Sequence, residues 1–266
     1  MKVGFIGTGN MGGALARAAA KGGHTLLLAN RTPAKAEALA KELGGTVCPN
    51  AEAAEKAELL FLGVKPQGLP GLAGELAPVL QARKGNAPVV VSMATAVTLR
   101  ELDAMLGGGL PLIRIMPNTP AAVGAGTILY AAQNVTDAQL NAFRAVLAQA
   151  GLLLPLPEEK IDAASAISGC GPAFCFQFAD ALALGGVRAG LSYPDACRLA
   201  AQTMLGAAEM LLQGGEAPDV LKMRVCSPAG TTIEGVLALE QGGFSYTVQN
   251  AVTAAYRRTV DMTKKG

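Results

Sequence analysis

Gly7-Thr8-Gly9-Asn10-Met11-Gly12 sets three glycines in G-x-G-x-x-G spacing, directly after the apolar run Val3-Gly4-Phe5-Ile6 and at the start of a helix-like stretch. There, Gly7 permits a tight turn, Gly9 lets the backbone approach a pyrophosphate, and Gly12 allows a helix to lie close on a strand. The helix N-terminus adds free N–H donors for phosphate oxygens. The hexapeptide alone is weak in a chain with 33 glycines; its strand–turn–helix position makes it read as a dinucleotide-binding turn, with Thr8, Asn10 and Met11 between the glycines. The second apolar run ends at Asn30-Arg31-Thr32. An NAD site usually carries Asp or Glu at that point for the ribose 2′-hydroxyl. An amide, a guanidinium and a hydroxyl suit a 2′-phosphate instead, so NADPH is the expected cofactor and NADH the alternative. Thr32 can also cap the following helix, with Pro33 in its first position, and the two roles are compatible.

Further strand ends belong to the same cleft, because ligands bind beyond the C-terminal edge of such sheets. Val64-Lys65-Pro66, Ser92-Met93-Ala94-Thr95 and Met116-Pro117-Asn118-Thr119-Pro120 follow apolar runs in this way. Lys65 and Asn118 are the groups able to contact ribose or the nicotinamide amide, and each also reads as an ordinary loop residue. Ser168–Pro172 and Ser227–Thr232 are small-residue loops that each lead into a helix-like stretch. Backbone N–H groups and short hydroxyls bind anions in such places; either loop taken singly reads rather as a serine cap before a helix, and it is the two together with a dinucleotide turn that point to anion binding. His24 is the single histidine, which argues against a His-based metal site and a Ser-His-Asp triad, and no metal is expected. The five cysteines (Cys48, Cys170, Cys175, Cys197, Cys226) are odd in number, scattered and without C-x-x-C, which suits a reducing cytoplasm.

The elements that must position these groups follow from the hydrophobic pattern. Lys2–Ile6, Thr25–Ala29, Thr46–Cys48, Leu59–Val64, Val89–Ser92, Leu112–Met116 and Thr127–Ala131 read as strands, short and rich in Val, Ile and Leu. Met11–Lys21, Pro33–Leu43, Ala51–Ala57 and Leu69–Leu80 read as the helices between them. Such alternation gives right-handed βαβ units and a mostly parallel sheet covered on both faces. Past Pro155-Leu156-Pro157 the reading is helical throughout: Lys160–Ile167, Ala173–Val187, Asp195–Leu212, Thr232–Gln241 and Thr247–Thr263. The expected architecture is an α/β Rossmann-type dinucleotide-binding domain, 1–157, followed by an all-α domain, 158–266. Met204, Leu205, Ala208, Met210 and Leu212 surround the face Thr203, Ala207, Leu211, an all-round apolarity that calls for burial against helices or another subunit.

Composition narrows the function classes. Of 266 residues 51% are hydrophobic and 16% charged, against about 25% charged in an average domain. The formal charge of +2 is spread without a basic block, and aromatics are only 4%, so a nucleic-acid surface is not expected. The longest apolar run, Ala87–Val97, falls short of the roughly 18 residues of a membrane span. No signal peptide is read either, because Met1-Lys2 runs straight into a strand.

The motifs together resemble those of pyrroline-5-carboxylate reductases. G-x-G-x-M-G, N-R-T, V-K-P and M-P-N-T-P occur in the first half. In the second, Ser165–Ala173 resembles the family's S-G-S-G-P-A segment and Val225–Gly235 its S-P-G-G-T-T signature, with Ala229 where glycine is commoner and Cys170 where serine is. The resemblance spans essentially the whole chain. It implies hydride transfer from NADPH to the imine carbon of 1-pyrroline-5-carboxylate, giving L-proline. It assigns the hydrogen bond to the ring nitrogen to Thr232, and the carboxylate pocket to Ser168, Gly169, Ser227, Ala229, Gly230 and Thr231. It also implies a homodimer with interlocked C-terminal helices, with dimers arranged further into a decamer. A β-hydroxyacid dehydrogenase would need a lysine at a glycine-rich helix start in the second half, and Lys160, Lys222, Lys264 and Lys265 are not so placed. A non-catalytic NADP sensor would need no anion-binding loops there.

Overall fold

β1 (Lys2–Ile6), β2 (Thr25–Ala29), β4 (Leu59–Leu62) and β5 (Val89–Ser92) are almost wholly apolar because each is covered on both faces of one sheet. The computed structural model describes residues 1–263. With β3 (Thr46–Val47), β6 (Leu112–Met116), β7 (Gly126–Gln133) and β8 (Gly151–Pro155), these strands form an eight-stranded sheet in the order β3-β2-β1-β4-β5-β6-β7-β8. Neighbours are parallel except β6 and β7. In register, Ile6 lies beside Ala29 on one side and Leu62 on the other. The order therefore reverses at β1, and the crevice for a ligand opens at the C-terminal ends of β1 and β4.

Alternate strand residues feed two cores. One face gathers Ile6, Leu27, Leu60 and Leu62 with α3 (Asn50–Lys56) and α4 (Leu69–Ala82); the other gathers Phe5, Leu28 and Phe61 with α1 (Asn10–Lys21) and α2 (Pro33–Leu43). Phe5 and Phe61 stack with centroids 4.6 Å apart across β1 and β4.

Three elements go beyond the sequence reading. α5 (Leu99–Met105) and α6 (Asp137–Leu147) are announced by capping boxes, Thr98 with Glu101 and Thr136 with Gln139, rather than by an alanine-rich run. β8 is an edge strand whose Leu152 and Leu154 stay exposed. The sheet is also less uniformly parallel than the βαβ pattern implies, because the chain returns from β6 to β7 through a short 3₁₀ turn, Thr119–Val123, with no crossover helix.

The helical part comprises α7 (Glu158–Ser168), α8 (Gly171–Arg188), α9 (Tyr193–Gly214), α10 (Pro218–Arg224), α11 (Thr231–Gln241) and α12 (Phe244–Thr263). By packing, the chain divides into Gly171–Ala255 and the remainder, so α7 groups with the sheet although the sequence texture changes at 157. The physical reason is Arg114 of β6, 3% exposed, whose guanidinium pairs with Asp162 at 2.6 Å and Glu158 at 3.4 Å. Within the helical unit α8 and α9 form a tight hairpin; a Cβ on Gly186 would lie 3.1 Å from that of Ala196. Phe176, Leu199, Leu212 and Tyr246 are 57–79% exposed in the single chain, a large uncovered apolar surface. Glu158–Arg188 is also long and apolar enough to cross a membrane.

Candidate active site

The glycine turn builds the first part of the site. Gly7 sits at φ +101°, a conformation L side chains rarely adopt, and a Cβ there would meet the Gly63 carbonyl oxygen at 2.5 Å. A Cβ on Gly12 would overlap the Gly7 oxygen, so α1 starts pressed against the turn. Gly9 is different: a Cβ on it would meet nothing within 4 Å. That is open space over the N-terminus of α1, where no acidic residue stands in the first turn and no side chain caps the helix. The first-turn N–H groups of Asn10, Met11 and Gly12 lack intrahelical acceptors and face an anion without competition. The buried Thr8 hydroxyl has no hydrogen-bond partner among the described residues. An open cradle, an orphaned hydroxyl and free helix donors fit a dinucleotide pyrophosphate.

An open cleft of ≈ 690 Å³ continues from this turn, and its walls include Gly7, Gly9, Asn30, Arg31, Thr32, Val64 and Lys65. Asn30 shapes the rim: its Oδ1 accepts from Thr8 N at 3.0 Å and its Nδ2 donates to the Thr32 carbonyl at 2.9 Å. The amide expected to face a 2′-phosphate is thus engaged within the loop, which leaves Arg31 and Thr32 as the groups expected to face it. Thr32 stands at the N-cap of α2 with Pro33 next, yet its side chain makes no capping bond. Lys35, one turn further, also lines the cleft. The sequence reading missed it because a lone lysine on a helix looks like any solvated charge. It missed Gly63 as well, required where β4 ends because its Cβ would overlap the Gly7 oxygen. Asn50 and Glu75 complete the far wall, joined at 3.0 Å.

Other expected cofactor residues lie outside these walls. Pro66 opens the short 3₁₀ turn after Lys65, and at the end of β5 Ala94 is buried and donates its N–H to Ser92 Oγ at 3.3 Å, with Thr95 beside it half-buried. Asn118, just past β6, is buried with both ends of its amide turned inward: Oδ1 accepts from Thr127 N at 2.8 Å, and Nδ2 donates to the Ser168 carbonyl at 2.8 Å. The sequence reading offers Asn118 to ribose or nicotinamide; its hydrogen bonds make it a bracket inside the protein.

That bracket fixes Ser168 at the C-terminal edge of the sheet. Ser168 ends α7 rather than capping α8, and its hydroxyl donates back to the Ala164 carbonyl at 3.3 Å. Gly169 and the half-buried Cys170 make the turn before α8. In the helical unit, Ser227–Gly230 forms a second turn, closed by Gly230 N donating to Ser227 O at 3.0 Å. A Cβ on Gly230 would overlap Ser227 Oγ. Ala229 holds φ +56° there, which explains on backbone grounds why glycine suits the position; the alanine costs on the order of 1 kcal/mol. α11 then starts with extended Gly230 as N-cap, no side-chain cap, and the exposed hydroxyls of Thr231 and Thr232. Its first-turn N–H groups have no intrahelical acceptors, and Glu234 in the same turn offsets part of the positive charge at this helix end. No metal-holding group of three His, Cys, Asp or Glu occurs among the described residues.

Comparison with known proteins covers both halves. Residues 158–262 match the family model for pyrroline-5-carboxylate reductase dimerisation, and residues 2–96 that for NADP oxidoreductase, coenzyme F420-dependent. The chain is 39% identical to the pyrroline-5-carboxylate reductase of Synechocystis sp., over 100% of this chain and 99% of the relative. Among solved structures, a pyrroline-5-carboxylate reductase from Coxiella burnetii aligns with TM-score 0.90 and 31% identity, covering 97% of each chain. The Plasmodium falciparum pyrroline carboxylate reductase with NADP bound aligns with TM-score 0.86 and 30% identity, covering 99% of each. With the relationship running end to end, through both the glycine-turn unit and the helical unit, the chain belongs to the pyrroline-5-carboxylate reductase family.

Proposed function

We propose that this protein reduces 1-pyrroline-5-carboxylate to L-proline with NADPH, the last step of proline biosynthesis. The observation that carries the reading is the end-to-end relationship to curated reductases at 35–39% identity, which leaves neither half without a counterpart. The Gly7–Gly12 turn and the α1 N-terminus would hold the cofactor's pyrophosphate, and Arg31, Thr32 and Lys35 its 2′-phosphate. Val64, Lys65, Pro66, Ala94 and Thr95 are the residues that would serve its nicotinamide half. Bound there, the nicotinamide supplies a hydride.

What remains for the chain is orientation. A cyclic imine is readily protonated near neutral pH, so the electrophile arrives activated and needs placing more than a strong acid. The residues assigned to the substrate carboxylate are Ser168 and Gly169 at the end of α7 and, in the helical unit, Ser227, Ala229, Gly230 and Thr231 at the α11 N-terminus. The Thr232 hydroxyl oxygen accepts the ring N–H and orients the imine. Hydride added to the iminium carbon would give the secondary amine of proline directly, so the chain's residues need supply no further proton at that nitrogen.

The helical domain, 158–266, is the substrate and dimerisation domain, and 1–157 the NADP-binding domain. The protein works in the cytoplasm as a homodimer whose C-terminal helices interlock, with dimers ringed into a decamer. The exposed apolar side chains of α8, α9 and α12 support this assembly, and the apolarity of Glu158–Arg188 belongs to a subunit interface rather than a bilayer. Size-exclusion chromatography with light scattering tests it; a monodisperse monomer at micromolar concentration would end the interlocked-helix reading. The activity is tested by imine-dependent NADPH oxidation with proline as product.

A further inference from the structure

We propose that Asn118 is a positioning residue that holds Ser168 and the turn after it at the edge of the sheet in its substrate-binding conformation, an inference that rests on the assignment of Ser168 and Gly169 to the substrate carboxylate. The carbonyls of a helix's last turn have no partner within the helix. For Ser168, at the end of α7, the Asn118 Nδ2 supplies that partner at 2.8 Å. The amide is in turn fixed by Thr127 N at the start of β7, 2.8 Å from Oδ1, and by burial. α7 is fastened at its other end by charge: Asp162 and Glu158 pair with buried Arg114, and Glu158 also accepts from Leu99 N at 2.7 Å. Beyond Ser168 the chain turns at once, with Gly169 N and Cys170 N both donating to the Ser165 carbonyl at 2.7 and 3.3 Å. A Cβ on Gly169 would lie 2.8 Å from that oxygen, so the turn has no slack, and its direction follows from where the Ser168 carbonyl is held. Arg114 and Asn118, at either end of one short stretch of β6 and its exit, thus carry the two ends of α7.

The experiment uses the assembled enzyme and two variants. Asn118→Asp keeps an acceptor for Thr127 N but has no donor for the Ser168 carbonyl; Asn118→Ser removes the amide. For each, the KM for pyrroline-5-carboxylate, kcat, and the Kd for NADPH by fluorescence titration are measured. Loss of the Ser168 bond is expected to raise the imine KM about ten-fold in both, with the NADPH Kd within about two-fold of the parent. An unchanged imine KM overturns the proposal. So does an NADPH Kd weakened in parallel, which would make Asn118 a cofactor ligand, and so does failure of both variants to fold, which would assign the amide to the fold alone. A parent enzyme that binds NADPH but does not turn over the imine removes the reduction itself. Parent turnover with unaltered variants removes only the role of Asn118.

Discussion

Gly9→Ala separates cofactor approach from fold stability. Gly9 has φ −71° and ψ −167°, extended backbone that alanine adopts freely, and the added Cβ meets no atom within 4 Å. Restricting the unfolded chain contributes about 0.4–1 kcal/mol of stability. Replacing glycine by alanine at an N-cap costs a similar amount, because alanine caps poorly. The two nearly cancel, so the Tm is expected to stay within about 3 °C of the parent. The methyl group nevertheless occupies the space in which a pyrophosphate meets the backbone, and NADPH affinity is expected to fall at least ten-fold, about 1.4 kcal/mol. Gly12→Ala is the contrast. Its Cβ overlaps the Gly7 oxygen at a buried contact, so it should cost about 1–3 kcal/mol of stability and lower the Tm clearly. Differential scanning fluorimetry and NADPH fluorescence titration read both quantities on the same samples. A Gly9→Ala protein with parental NADPH affinity would refute the reasoning, since it would mean that no ligand approaches this backbone.

Thr232→Ala removes the hydroxyl assigned to the ring nitrogen and should lower kcat/KM about 10- to 1000-fold, about 1.4–4 kcal/mol, at unchanged NADPH Kd; steady-state kinetics check it. Arg31→Ala combined with Lys35→Ala should weaken NADPH by at least about ten-fold while altering NADH little, measured as the ratio of the two kcat/KM values. The Glu101 carboxylate is held below its usual range by hydrogen bonds from the Thr98 backbone and side chain. A folded pKa below the unfolded one contributes stability above the ordinary carboxylate range and loses it as pH falls through the folded value. The Tm gap between the parent and Glu101→Ala should therefore be full at neutral pH and shrink in acid; a constant gap would contradict it.

The first crossovers were legible in sequence because their physics is local. Lys2–Ile6, Thr25–Ala29 and Pro33–Leu43 match their observed bounds, since strands buried on both faces are continuous apolar runs and Pro33 marks a helix start. α5 and α6 carry weaker periodicity, and their signal lay in the spacings Thr98–Glu101 and Thr136–Gln139. The bracket made by Asn118 and the buried pairs of Arg114 join residues 44 to 50 positions apart, and no local pattern reports such pairings. The serine-capped helix reading of Ser168 gave way for the same reason: the preceding helix runs on until Ser168, held from its far end by Arg114. Ala229 could be noted as a departure from glycine, but its φ of +56° belongs to the folded turn.

The central claim is tested most directly by following NADPH oxidation by the purified protein with pyrroline-5-carboxylate, beside a panel of hydroxy acids assayed with NADP in the reverse direction, and analysing the product. The account predicts oxidation that depends on the imine, proline formed in equal amount, and no reaction with the hydroxy acids. Turnover of a hydroxy acid, or NADPH binding without any imine-dependent oxidation, would contradict it.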